Sequence, residues 1–111
     1  MVEYELSDAA IVGIITLSLE GLEGAQLASG ASRSVGDVLS GRRGRAVRIS
    51  REEKRIRVEL QLVARYGEPL QDLAEQVQRT VHDSLTATTG MKVEAVDVVF
   101  VDVTAEGEHA A

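Results

Sequence analysis

Apolar residues recur along this chain with two different periods. Near the N-terminus, Ile11, Ile14, Ile15 and Leu22 follow a helical spacing, and Val12 and Leu19 widen the stripe, which predicts a helix over residues 7–20. Ser7 is placed to cap it, Asp8 puts a carboxylate in the favourable first turn, and Gly21 ends it. No charge falls between Asp8 and Glu20, and the apolar arc is broader than one face requires. The reading is a well-buried helix, with an interface to another subunit as the alternative. Glycine and serine then crowd residues 21–45, a long irregular connection with one helical turn expected at residues 35–39.

Beyond residue 46 the period falls to two. Val47 and Ile49 alternate with Arg48 and Ser50; residues 51–54 make a charged turn. Ile56, Val58, Leu60, Leu62, Ala64 and Tyr66 then alternate with mostly polar partners, the clearest strand in the chain. The short turn makes these two strands an antiparallel hairpin. Pro69 suits a first helical position, and Leu70, Leu73, Ala74, Val77, Val81 and Leu85 form one stripe, so a second helix is expected over residues 69–88, closed by Gly90. In the last strand, residues 91–103, Val93 and Ala95 share one parity, Val96, Val98 and Phe100 take the other, and Val99, Val101 and Val103 return. That pattern calls for a bulge near Val96 or for a strand covered on both faces. A minor strand is expected at residues 2–6.

The order α-β-β-α-β predicts an α+β fold of two layers, with the helices packed on one face of a small mixed three-stranded sheet. A right-handed crossover through the second helix makes the last strand parallel to the second. The length of 111 residues suits one domain, placed at residues 1–103, followed by a disordered tail at 104–111.

Composition narrows the chemistry. An apolar fraction of 44% and a charged fraction of 27% are those of a globular chain. The absence of cysteine excludes disulfides, thiolate metal sites and a cysteine nucleophile. No apolar run approaches the ~18 residues of a membrane span, so no direct membrane insertion is expected. The opening residues lack the basic start of a secretory signal, and the chain reads as cytoplasmic. The net charge of −6 is unevenly divided: residues 1–32 carry −5, residues 33–65 carry +6, and residues 66–111 carry −7. An acidic total with only Tyr4, Tyr66 and Phe100 as aromatics argues against a general nucleic-acid binder.

The sharpest local motif is Gly41-Arg42-Arg43-Gly44-Arg45, with Arg48 close behind. A basic GxxG loop clamps nucleic-acid backbones when it joins two helices. Here it runs into a strand, so Arg42, Arg43, Arg45 and Arg48 read as a solvated basic surface for docking a partner, with phosphate binding in a small nucleic-acid-binding module as the alternative. Val99 and Val101 are the candidate apolar interface. His82 and His109 have no ligand set beside them, and Asp97 and Asp102 fall on opposite faces of a regular strand. No triad, Walker or dinucleotide fingerprint is present. The expectation is a protein that is not an enzyme and needs no cofactor.

One combination goes further. The strand ending in Tyr66-Gly67, the proline-initiated helix carrying Val77-Gln78 and Val81, the turn Thr89-Gly90-Met91-Lys92-Val93, and the closing Val96-Asp97-Val98 and Val101-Asp102-Val103 resemble the alkaline shock protein family of Gram-positive and related bacteria. Helix 1 followed by Glu20-Gly21-Leu22-Glu23-Gly24 is similar to that family's opening, and the likeness covers residues 4–103. It implies a non-enzymatic cytoplasmic protein of envelope stress response or homeostasis. The resemblance also implies a homo-oligomer with a membrane-anchored protein partner, since some members are held at the membrane through such a partner and oligomerise, while others are linked to lipid metabolism or envelope homeostasis. The family supplies no catalytic residues to carry over. The central loop here is rich in arginine where members often carry lysine, and the tail is short.

Overall fold

The computed structural model describes residues 4–28 and 46–105. Helix α1 is Asp8–Leu19, and the Ser7 hydroxyl accepts the Ala10 N–H at 3.1 Å, as its position before the apolar run requires. Strand β1 is Ala25–Leu27, β2 is Val47–Glu52, β3 is Arg55–Arg65, helix α2 is Leu70–Thr89, and β4 is Lys92–Thr104. Helix α2 starts one residue later than expected, with Pro69 as its N-cap, and ends at Gly90, whose φ of 74° is the left-handed conformation that closes a helix.

Every other strand is organised around β3. One of its edges pairs over its whole length with β4, in parallel. The other edge is shared: β2 runs antiparallel to residues 55–60, and β1 antiparallel to residues 62–64. Gln61 marks the junction, donating its N–H to the Ala46 carbonyl and accepting the Ala28 N–H. The sheet therefore has four strands but is three wide. The expected mixed sheet with a parallel last strand is present, and two points need correction. A fourth strand, β1, occupies what reads as irregular connection, because its three residues gain hydrogen bonds from an edge that β2 leaves unpaired. Residues 4–7 form no strand, and Tyr4 is exposed.

Both helices contribute to one core on one face of the sheet. Ile56, Val58, Leu60, Leu62 and Ala64 are almost wholly buried, as strict alternation dictates, and they meet Ile11, Ile15 and Leu19 of α1 and Leu73, Val77, Val81 and Leu85 of α2. Tyr66 does not continue this series: it lies past the end of β3 and is 78% exposed. Leu70 and Leu17 are also exposed, while Leu19 takes the buried place. The hairpin turn is tighter than expected, since Glu52 already pairs with Arg55 and only Glu53 and Lys54 form the loop.

Strand β4 resolves its own parity problem with two bulges. Facing partners skip Glu94 between Ile56 and Arg57, and skip Val101 between Leu62 and Val63. The first bulge sits two residues before the expected one. Between the bulges Val96, Val98 and Phe100 face the core, and Val99 faces away. Thr104 belongs to the strand, and the tail is described only as far as residue 105.

Candidate docking surface

The face of the sheet turned away from the helices is assembled from alternate residues of four strands. Its cross-strand rows follow from the register. Glu52, Arg55 and Lys92 form one row; Ser50, Arg57 and Ala95 the next; then Arg48, Glu59 and Asp97. Past that charged row come Gln61 with Val99, and Gln26 with Val63 and Asp102. One end of the face is thus mainly basic, and the other mixes Val63 and Val99 with Gln26, Gln61 and Asp102. Arg48, Arg55 and Arg57 are exposed. Arg55 pairs with Glu94 at 3.4 Å, and Arg48 stands in register opposite Glu59. Arg57 has Ser50 across one edge and the bulged pair Glu94 and Ala95 across the other.

Of the expected basic residues, Arg48 lies on this outer face. Arg42, Arg43 and Arg45 fall outside the described residues, as does the helical turn expected at residues 35–39. Sequence reading gives Arg57 only as a polar alternate. Its place beside Arg48 depends on the β2–β3 register, although the alternation itself puts both on the outer side.

Val99, Val101 and Val103 lie in the C-terminal half of β4, exposed by 42%, 49% and 45%; the register puts Val99 on the outer face and Val103 on the face of Ala64, with Val101 in the bulge between them. The expectation of a strand covered on both sides does not hold among the described residues. Helix α2 packs along the first half of β4, where the Gln78 side-chain amide donates to the Val96 carbonyl at 3.0 Å. The open groove beside this contact is lined by Glu75, Arg79, His82, Glu94 and Asp97. A hollow of about 180 Å³ lined by Leu22, Gly24, Gln26, Val63, Arg65 and Thr104 is smaller than the ~300 Å³ at the lower end of ligand pockets.

Charged side chains elsewhere serve the fold. Arg51 bonds the Leu6 carbonyl at 2.8 Å and the Asp8 carboxylate at 3.0 Å, fastening the segment before α1 to β2. Arg65 and Glu68 pair at 2.7 Å across the turn after β3. His82 Nδ1 lies 3.2 Å from the neighbouring Asp83 carboxylate on the exposed side of α2. Among the described residues, no three His, Asp or Glu side chains gather as a metal site. No described helix is long and apolar enough to cross a membrane.

No curated protein and no solved structure matches the chain. A family model does, over residues 2–105: that of the alkaline shock protein family, described as having a cell envelope-related function.

Proposed function

The chain belongs to the alkaline shock protein family, whose function is related to the cell envelope, and from that membership we propose that it acts by contact rather than by catalysis. In this reading it is a cytoplasmic protein that self-associates and docks on a protein partner of the envelope machinery. The observation that carries the reading is the C-terminal half of β4, where three valines lie exposed on an edge strand. Exposed apolar side chains on an edge strand favour association, because water is released and backbone groups gain partners when the edge is covered. The basic residues Arg42, Arg43, Arg45 and Arg48 supply the second element, a positive surface for an acidic partner.

Light scattering across the micromolar range tests self-association. The scattering mass should rise with concentration. A strict monomer throughout would refute the reading.

A further inference from the structure

Strand β4 has an outer edge with a specific pattern of open backbone groups. In a parallel pair, one residue of each facing couple directs its N–H and C=O at the partner strand, and the other directs them away. Gln61 turns both groups toward β1 and β2, whereas the Tyr66 N–H reaches the Thr104 carbonyl. The even-numbered residues of β3 therefore serve β4. Their facing residues, Val96, Val98, Phe100 and Val103, present their backbone groups at the outer edge. Two of these are already engaged: the Val96 carbonyl by Gln78, and the Val103 N–H by the Asp102 carboxylate at 2.8 Å. Val98 and Phe100 have both groups open among the described residues.

We propose that this edge pairs antiparallel with the same edge of a second copy, on a two-fold axis at Phe100. The result is one continuous sheet through both molecules, with the helices of both on the same face. The proposal rests on the self-association reading above and names its surface.

The register follows from charge and from the end of the strand at Thr104, which leaves an axis at Val103 too few pairs. Like charges directly opposite each other destabilise a strand pair. The strand carries Glu94, Asp97 and Asp102, and the bulges set Glu94 with Ala95 opposite Arg57, and Val101 with Asp102 around Val63. An axis at Val96 sets Glu94 against Asp97 of the second copy. An axis at Asp97 sets that carboxylate against itself, one at Val98 sets Glu94 against Asp102, and one at Val99 sets Asp97 against Asp102. With the axis at Phe100, Asp97 meets Thr104, Val98 meets Val103, Val99 meets Asp102, and among the described residues no acid faces an acid. This stretch also begins past Gln78 and the α2 side chains that stand along residues 93–97. Asp102 holds the Val103 N–H in the separate molecule and passes it to the Val98 carbonyl of the second copy on pairing. An edge of this length covers much less than the ~1,600 Å² of a standard interface, so the dimer is weak and forms with rising concentration.

Two substitutions at one exposed position test the register. Val99→Lys sets an ammonium against Asp102 of the second copy, twice per dimer; Val99→Asp sets a carboxylate there. Within its own sheet Val99 faces the neutral Gln61, and circular dichroism melts confirm that both variants fold. In sedimentation velocity at low salt, Val99→Lys should tighten the dimer about two- to thirtyfold, and Val99→Asp should loosen it by a similar factor. The gain with lysine should shrink at high salt. If the unmodified protein associates but neither variant changes the constant, the interface lies elsewhere and the β4 proposal falls while self-association stands. Equal weakening by both variants also overturns the register. If no species associates at any concentration, both readings fail.

Discussion

Leu60 is the sharpest test of the strand phase on which both the core and the outer face depend. Its side chain is wholly buried, and its facing neighbours are Val47 on β2 and Val98 on β4. Leu60→Ala removes three carbons from that site. At about 0.8 kcal/mol per buried methylene, the lost transfer energy is about 2.4 kcal/mol. The space left behind adds roughly 24 cal/mol per Å³ wherever neighbours do not relax, so a loss of about 3–4 kcal/mol is expected. Flanking strands on both sides limit relaxation, which favours the upper part of that range. A domain of this size has about 5–10 kcal/mol in total, and the melting temperature should fall by more than about 10 °C. Urea unfolding is the assay: the midpoint should move while the slope stays constant, which reports stability rather than a change in the surface exposed. Arg57→Ala, three positions earlier on the outer face, is the control and should stay within about 0.5 kcal/mol. A loss below about 1 kcal/mol for Leu60→Ala, or a larger loss for Arg57→Ala, would show that the inward and outward residues of β3 have been exchanged.

Gly24→Ala should destabilise by roughly 1–3 kcal/mol in a thermal melt, because φ is +99° there and an added Cβ would come within 2.9 Å of the Glu68 carboxyl carbon. Glu68→Ala should restore only part of that loss, since the backbone strain remains; full restoration would place the whole effect in the clash. Replacing Arg42, Arg43 and Arg45 together with alanine should leave the melting temperature within a few degrees, as the sequence reading of a solvated basic loop requires, since such charges contribute about 0–1 kcal/mol each. It should slow capture of an acidic partner, read as a lower association rate by surface plasmon resonance. A large drop in melting temperature with an unchanged association rate would make these arginines structural.

Elements that depend on neighbours in the chain were legible in the sequence. Strict alternation over residues 56–64 names the buried face of β3, because a pleated strand turns successive side chains to opposite sides whatever surrounds it. Ser7 and Gly90 mark helix ends because capping is satisfied within a few residues. The family likeness also rests on such local runs, and the match over residues 2–105 bears it out. What depends on pairing was not legible. Three residues at 25–27 carry no periodic signal, and only the edge that β2 leaves open makes them a strand. Tyr66 keeps the alternation but loses its cover where β3 ends. In β4 the shifted parity announced a bulge, yet its place at Glu94, and the second at Val101, follow only from the register against β3. The direction of the open backbone groups at Val98 and Phe100 is of the same kind. A strand's hydrogen-bonding side is set by the strand beside it, and that neighbour is supplied by the tertiary structure alone.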